Sequence, residues 1–190
     1  MSLRFTIASM ILAVLPALAL AAEPATPAPG ETFHRVELKP TAGQGNPLPY
    51  TIEVPQEWQM RQVAEYPGLW IGPADAKPPE DPRLIWVRGS KVSMANPEEV
   101  VANIKANDAA QAGWSAPQVE VKEVGGVRGV LVRMDSGEAG KERSSLTLKL
   151  PLAGMAIDFI ASADRKEFEQ RRPLYERILF SVRPTQPANP

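Results

Sequence analysis

Residues 119–134 read VEVKEVGGVRGVLVRM and residues 143–162 read RSSLTLKLPLAGMAIDFIAS, and these two stretches decide the fold. In each stretch, apolar and polar residues alternate on both sides of a break that contains glycine, which is the pattern of a β-hairpin. We therefore predict two consecutive antiparallel hairpins, and we expect the remaining segments to form helices and edge strands around them.

The first hairpin can be assigned a register from its turn. Glycine at both Gly125 and Gly126 supplies the two positive φ angles of a two-residue type I′ turn, so Val124 faces Val127. Counting back from the turn sorts the residues into two faces. The apolar face pairs Val121 with Val130, Val119 with Val132 and Glu123 with Arg128, and the mixed face pairs Glu120 with Leu131 and Gln118 with Arg133.

For the second hairpin we predict a longer turn over residues 151–154, which places Leu150 opposite Met155. Both hairpins then separate an apolar from a mixed face, and this makes a sheet the strongest prediction for the region. The further pairs are Leu148 with Ile157 and Leu146 with Phe159, while Thr147 and Asp158 lie on the opposite face.

The beginning of the chain has the features of a secretory signal peptide. Arg4 gives a weakly positive start, residues 5–20 are almost entirely apolar, and Ala19-Leu20-Ala21 fits a cleavage site. The apolar run is short for a membrane span, so an uncleaved anchor is the less favoured alternative. We predict a signal peptide over 1–21, a disordered Pro/Ala linker over 22–31, a single domain over 32–184 and a disordered tail over 185–190. The predicted location is the periplasm, with no stable membrane anchor after cleavage.

Charge and cysteine content exclude several classes of partner and chemistry. Lys and Arg number 21 and Asp and Glu number 22, and this balance argues against nucleic acid or an anionic membrane as the main partner. The chain contains no cysteine, so disulfides, thiolate metal sites and lipoprotein attachment are excluded.

Short strands are also predicted before the hairpins, at 33–38, 50–54, 69–72 and 84–87. Pro55 ends the second of these, and the turn at 55–58 sends the chain back toward Met60 and Val63. Residues 73–82 contain four prolines and four charged residues, and they are predicted to form a solvent-exposed loop.

A first helix is predicted from Pro97 to about Gln111, ending near Gly113. Asn96 can cap it, and Pro97 suits the first helical position. Its apolar stripe consists of Val100, Val101 and Ile104.

A second helix is predicted to begin near Asp164. Asp164 is its cap residue, in a sequence that resembles a capping box. Pro173 interrupts it, because the proline ring removes an amide donor and clashes with the carbonyl of Glu169. We expect a kink there or two short helices, and then a final extended segment at 180–183. The buried stripe should contain Phe168, Tyr175, Ile178 and Leu179.

The order of these elements and three motifs resemble the PsbP-like fold, including DcrB-type bacterial envelope proteins. The first motif is YTIEVPQEW at 50–58, a strand that runs into Pro-x-x-Trp. The second is the glycine-containing hairpin VGGVRG at 124–129, and the third is the closing helix and strand at 168–183. The resemblance covers about residues 33–183.

The resemblance implies an α+β fold in which an antiparallel β-sheet is flanked by helices in an α/β/α sandwich. Proteins with this fold are accessory proteins, such as photosystem subunits, a nuclear-import factor, chaperones for secreted effectors and envelope proteins. Most of them bind proteins and lack chemistry. No functional residue carries over to this chain, so the inference to function rests on fold analogy.

Catalytic and metal-binding candidates are few. His34 is the only histidine, so a Ser-His-Asp arrangement has a single possible base, and a surface or strand-edge histidine is favoured. Residues 135–142 alternate oxygen ligands with glycines as a calcium loop does, but Lys141 and the missing Asp-x-Asp-x-Asp-Gly pattern favour a flexible connector. Residues Asp75, Glu80 and Asp81 offer oxygen ligands too, but the prolines around them favour a solvated loop. We predict no catalytic residue, no metal site and no cofactor.

Tryptophans are the best candidates for a binding surface. Trp58 is expected to pack at its turn, whereas Trp70, Trp86 and Trp114 lie on or beside strand and loop ends, where an aromatic side chain can face a partner. Core packing is the favoured alternative for all three. The patch to test first comprises Trp70, Trp86 and the loop 73–82.

The predicted function is that of a non-enzymatic exported accessory protein, periplasmic, that binds another envelope protein. One alternative is a carrier of a small apolar molecule, which requires a sizeable closed apolar pocket between the sheet and a helix. A hydrolase is a less favoured alternative, kept because acidic residues alone can act as acid and base.

Overall fold

The computed structural model describes residues 32–39, 48–108, 115–137 and 142–185, and ten strands and two helices lie within these ranges. The predicted signal peptide over 1–21, the linker up to residue 31 and the tail beyond residue 185 lie outside the described residues. The elements are β1 (Phe33–Glu37), β2 (Tyr50–Pro55), β3 (Trp58–Val63), β4 (Tyr66–Pro73), β5 (Ile85–Ser93), α1 (Pro97–Asp108), β6 (Gln118–Val124), β7 (Val127–Ser136), β8 (Arg143–Leu152), β9 (Met155–Asp164), α2 (Arg165–Phe180) and β10 (Arg183–Pro184).

The described strands form two antiparallel sheets. One has seven strands in the order β3-β4-β5-β9-β8-β7-β6, and the other has three in the order β1-β2-β10. The predicted turn at 55–58 is present, but β3 does not return alongside β2. Instead β3 pairs with β4 in the larger sheet, so the turn carries the chain from one sheet to the other.

The predicted register of the first hairpin is confirmed at every pair, from Val124–Val127 to Gln118–Arg133. Gly125 and Gly126 have φ angles of 64° and 78°, as a type I′ turn requires. A side chain at Gly125 would also collide with the carbonyl oxygen of Val182, 2.6 Å from the position of a Cβ. This turn therefore needs glycine for its conformation and for its packing.

The predicted register of the second hairpin is wrong by two residues. The turn has only two residues, Ala153 and Gly154, so Leu152 faces Met155, and Leu148 faces Phe159. Ala153 has a φ of 49°, which non-glycine residues seldom adopt, so its residue type does not indicate a two-residue turn. A shift of two residues leaves each side chain on its predicted face of the sheet, so Asp158 still lies on the face opposite the apolar residues.

The apolar faces of the two hairpins point to opposite sides of the large sheet. Strand β7 pairs with β8 so that Val132 lies opposite Thr147 and Leu131 lies opposite Leu148. Neighbouring residues of a strand face opposite sides, so the valine face of the first hairpin and the leucine face of the second are separated by the sheet. The valine face packs with Val100 of α1, and the leucine face packs with α2.

Helix α1 begins as predicted. The side-chain oxygen of Asn96 accepts a hydrogen bond from the backbone N–H of Glu98 at 3.2 Å, which caps the first turn. Val100 is buried, while Val101 and Ile104 are partly buried against the sheet. The predicted end near Gly113 lies outside the described residues.

Helix α2 differs from its prediction in three ways. It runs unbroken from Arg165 to Phe180 with Pro173 inside it, so the two short helices are not found. The final extended segment, predicted at 180–183, is present as β10 but begins only at Arg183. The side chain of Asp164 makes no capping hydrogen bond. Burial of the predicted stripe on both sides of the proline offsets the lost backbone hydrogen bond. That stripe is confirmed, since Phe168, Tyr175, Ile178 and Leu179 are all buried.

Candidate functional site

Strands β4 and β5 bring two of the predicted site residues together. Trp70 and Trp86 are directly opposite in the sheet, and their rings stack with centroids 5.2 Å apart and planes inclined by 6°. The ring of Tyr66 meets Trp70 edge-on at 6.1 Å, and the guanidinium of Arg88 lies 4.3 Å from the centroid of the Trp86 ring. These four side chains form a continuous aromatic and cationic cluster on one face of the sheet.

The backbone of β4 is shaped to receive Trp86. The indole N–H of Trp86 donates a hydrogen bond to the carbonyl oxygen of Pro67 at 2.9 Å. Gly68, with a φ of 116°, makes this possible, because a Cβ at that position would lie 2.7 Å from Nε1 of Trp86 and 2.5 Å from the carbonyl oxygen of Val87. The close approach of the two strands thus depends on a residue without a side chain.

The loop between β4 and β5 is held in place by two arginines. Arg83 binds both carboxylate oxygens of Asp81, at 3.0 and 2.8 Å, and also binds Asp75 at 3.0 Å. Arg61 on β3 donates to the carbonyl oxygen of Ala74 at 2.8 Å and to that of Ala76. The predicted exposed loop is therefore held in a defined conformation beside the tryptophans. Of the carboxylates considered as cation ligands, Asp75 and Asp81 are bound to Arg83.

Electrostatics in this loop are dominated by Arg83. Its hydrogen bonds to the carboxylate lower the pKa of Asp81 to about 2, because they stabilise the charged form. Asp81 consequently stays ionised over the ordinary pH range.

Helix α2 anchors the far end of the loop. The hydroxyl of Tyr175 donates a hydrogen bond to the carbonyl oxygen of Pro82, and the tyrosine is fully buried. Burial raises the pKa of the Tyr175 hydroxyl, so it remains a donor throughout the neutral range.

Together these parts enclose a cleft of about 500 Å³ that is open to solvent, which we call the aromatic cleft. Trp70 is 4% exposed and forms its floor, Trp86 is partly exposed, and Tyr66 is 37% exposed at its rim. The predicted alternative of core packing therefore applies to Trp70 and only in part to Trp86. The lining residues are Tyr66, Pro67, Gly68, Trp70, Pro79, Asp81, Leu84, Trp86, Arg88, Gly89, Arg143, Ile160 and Ser162.

The other residues considered on the sequence lie away from the cleft. Trp58 is buried in the main core, as expected, and Trp114 lies outside the described residues. His34 is on β1 in the smaller sheet, where its Nδ1 is buried without a hydrogen-bond partner. In the part of the chain that the structure describes, no group of three or more His, Cys, Asp or Glu is arranged to hold a metal ion.

Residues 135–142 are described only at their ends. Asp135 accepts a hydrogen bond from the hydroxyl of Ser144 at 2.6 Å, so its carboxylate is engaged within the β7–β8 pair. Residues 138–141 lie outside the described residues.

Sequence reasoning missed Tyr66, Gly68 and Arg88 as parts of the site. The predicted strands at 69–72 and 84–87 were too short, since β4 begins at Tyr66 and β5 continues to Ser93. The alternation of Trp86 with Arg88 was a usable signal, because residues two apart in a strand share a face.

Comparison with known proteins shows which known fold the chain resembles. No family model and no curated protein matches the chain in sequence. The solution structure of cyanobacterial PsbP (CyanoP) from Synechocystis sp. PCC 6803 is similar, with a TM-score of 0.51 at 15% identity over 85% of this chain and 99% of that one. The chain has the PsbP-like fold.

A second structure with similarity to this PsbP-like chain is LpqN, which is involved in cell envelope biogenesis of Mycobacterium tuberculosis. Its TM-score is 0.53 at 18% identity, over 81% of this chain and 92% of LpqN. At such identities the likeness establishes the fold and assigns no role to any residue. Within the described residues, no helix has the length and hydropathy needed to cross a membrane.

Proposed function

We propose that this protein is a non-enzymatic accessory protein of the cell envelope, built as an α/β/α sandwich, and that it binds another envelope protein through the aromatic cleft. The observation that carries the proposal is the Trp70–Trp86 stack with a half-exposed Tyr66 and an arginine at its edge. Tryptophan, tyrosine and arginine are the residues that contribute most binding energy at protein interfaces.

The cleft is also rigid, which favours binding. Trp86 is fixed by its hydrogen bond to Pro67, and the neighbouring loop is fixed by Arg61, Arg83 and Tyr175. A preformed surface loses little conformational entropy when a partner binds, so more of the contact energy appears as affinity.

We infer a location in the periplasm from the signal-peptide pattern, and one structural neighbour supports a location in the cell envelope. The first 21 residues have the pattern of a cleavable signal peptide. LpqN, which shares the fold, is involved in cell envelope biogenesis. These points support an envelope location for this chain, and fractionation of cells that express the full-length protein tests it.

Site-specific photo-crosslinking in living cells tests the binding function. A photoreactive phenylalanine analogue replaces Tyr66 in one variant and Met155 in the other, because among the described residues these are the exposed large apolar side chains, at 37% and 44%. We expect the analogue at position 66 to capture a defined envelope protein, and the analogue at position 155, at the start of β9, to capture none.

Two results would overturn the proposal. One is the capture of the same proteins at both positions, which indicates nonspecific contact. The other is the absence of any adduct at position 66 across growth conditions, with both variants folded and exported. A Trp86→Ala variant should also lose the adduct, since it removes the centre of the cluster.

A carrier of a small apolar molecule is the second candidate. The aromatic cleft is open to solvent and is not the closed pocket between the sheet and a helix that is expected for a carrier. Its volume of about 500 Å³ is within the usual range of small-molecule sites, and it is lined mainly by apolar groups. Native mass spectrometry of protein purified from the envelope should then show a retained ligand that disappears in Trp86→Ala. Detection of only the ligand-free mass under non-denaturing conditions would count against the carrier function.

A further inference from the structure

The cavity of about 920 Å³ on the α2 side of the large sheet, which we call the basic groove, is separate from the aromatic cleft. It runs between the C-terminal half of α2 and the outer strands β6 and β7. The apolar residues that line it are Pro117, Val119, Leu131, Leu146 and Phe180. The groove therefore contains an apolar strip. The side chains of α2 lie on one side of it, and β6, the last strand of the sheet, lies on the other.

Basic residues dominate the lining of this groove. The acidic residues that line it are Glu120 and Glu176, whereas the chain as a whole has a net charge of −1. The lining of the groove thus carries a local excess of positive charge, which attracts anionic partners. The basic residues are Lys105, Lys122, Arg133, Arg172, Arg177 and Arg183.

Half of these cations have carboxylate partners. Arg172 lies 2.7 Å from Glu176, Arg133 pairs with Glu169, and Lys122 lies 3.9 Å from Glu120.

The other three have no ion pair among the described residues. The guanidinium of Arg177 lies 3.6 Å from the centroid of the Phe33 ring, and Arg183 donates to the carbonyl oxygens of Phe180 and Val182 at 2.7 Å. Lys105 is exposed on α1. Among the side chains that the structure describes, no carboxylate therefore neutralises these three positive charges around the groove.

The groove also meets an open sheet edge. Strand β6 is the last strand of the large sheet, and within the described ranges no strand pairs with its outer side. Lys105 lines the groove although α1 packs on the opposite face, so the groove extends around this edge. Alternate backbone N–H and C=O groups of an edge strand point outward and can pair with another extended chain.

We propose that the basic groove binds an extended acidic segment of another protein, which adds to the sheet beside β6 and places its carboxylates against Lys105, Arg177 and Arg183. A peptide fits better than a phosphate ligand because the cations are spread along the groove and a strand edge lies between them. Strand addition supplies affinity through the backbone, and the alternate side chains supply specificity. This inference rests on the proposed partner-binding function but uses a different surface.

The test uses the purified protein and a fluorescein-labelled peptide of repeating Glu-Glu-Thr-Thr, about as long as β6, so that glutamates point to both faces of the sheet. We expect fluorescence anisotropy to rise on binding, the affinity to fall with added salt, and a peptide of repeating Lys-Lys-Thr-Thr not to bind. The double variant Lys105→Ala/Arg177→Ala should bind about tenfold more weakly. Arg165→Ala/Lys166→Ala, which removes the same charge from the exposed start of α2, is the matched control and should bind like the wild type.

Amide signals locate the binding site independently of affinity. In isotope-labelled protein, the acidic peptide should shift the backbone signals of β6, while Tyr66→Ala leaves peptide binding unchanged. Conversely, Lys105→Ala/Arg177→Ala should retain the photo-adduct at position 66, so failure at one surface is distinguishable from failure at the other.

Several results would overturn the inference. These are the absence of binding, equal binding by the matched control and the double variant, or signal shifts that avoid β6. Tighter binding of inorganic polyphosphate or of phosphatidylglycerol vesicles than of the acidic peptide would also overturn it, in favour of a phosphate ligand.

Discussion

Lys149 Nζ lies 2.9 Å from Asp158 Oδ2 across the β8–β9 hairpin, and the Asp158 side chain is only 3% exposed. An isolated charge at such a site is strongly destabilising, because its lost hydration is no longer offset by its partner. We therefore expect Asp158→Leu to lower the free energy of unfolding by about 3 kcal/mol. Urea denaturation followed by circular dichroism measures the change.

The double variant Lys149→Met/Asp158→Leu provides the control. It removes both charges and leaves apolar side chains of similar size, so its stability should lie within about 1 kcal/mol of the wild type. A double variant as unstable as Asp158→Leu would show that packing, rather than the unpaired charge, determines the loss.

Gly68→Ala should distort the aromatic cleft through the backbone of β4. The new Cβ would overlap the carbonyl of Val87 and the indole of Trp86, at a φ that disfavours side chains. We expect a loss of about 2 kcal/mol or more in stability, with a shift of the tryptophan emission maximum. Gly89→Ala on β5 is the control, because nothing lies within 4 Å of its Cβ position. Equal effects of the two variants would contradict the prediction.

Tyr175→Phe should release the end of the β4–β5 loop from its hydrogen bond to α2. It removes the hydrogen bond to the Pro82 carbonyl and should cost about 1 kcal/mol, whereas Tyr66→Phe, at an exposed rim position, should cost little. Burial raises the pKa of Tyr175 in the folded state, so its stabilising contribution is present below pH 10 and is lost as pH rises further. Urea midpoints measured between pH 8 and pH 11 should fall less steeply for Tyr175→Phe than for the wild type.

Arg83→Gln should alter the acid side of the stability profile. The pKa of Asp81 is lowered to about 2 in the folded protein, so this contribution is present above the ordinary pKa near 4 and is lost as pH falls through 2. The variant should therefore be less stable than the wild type at pH 6 and nearly equal to it at pH 2. Thermal midpoints at both pH values measure this difference, and an equal gap at both would exclude the Asp81 contact as its cause.

Ala153→Gly should stabilise the second hairpin. Ala153 occupies a positive φ of 49°, where alanine is strained and glycine is not. Relief of that strain should raise the free energy of unfolding by about 0.5–1 kcal/mol. The same change at Ala156, which is buried in β9, should destabilise instead, since it only adds backbone freedom.

The two hairpins show how far sequence patterns determine the fold. The first register followed from Gly125 and Gly126, because two adjacent glycines at a turn leave one natural geometry. The second turn is shorter than predicted because Ala153 adopts a conformation that favours glycine and because Pro151 and Leu152 continue β8. Pro151 lies beyond the last pair that β8 makes with β7, Lys149–Val130, so its missing N–H costs no hydrogen bond there.

The sequence also predicted part of the aromatic cleft and none of the basic groove. Trp70 and Trp86 were identified by residue type, and the loop between them by its prolines. The groove depends on which residues of β6 and α2 face each other. Tertiary packing determines this arrangement, and the alternation of polar and apolar residues within one segment does not predict it. Lys105, Lys122 and Arg177 are ordinary surface cations until the fold brings them to one cavity.

The pairing of β2 with β10 constrains the order in which this chain can fold. Arg183 lies opposite Thr51 and Pro184 opposite Tyr50, so the smaller sheet joins early and late segments of the described chain. Local hairpins form quickly, whereas contacts across such separations must first overcome the entropy of closing a long loop. A chain that emerges N-terminus first, from a ribosome or a translocation pore, can form its hairpins as they appear, but it cannot close this sheet until β10 has emerged.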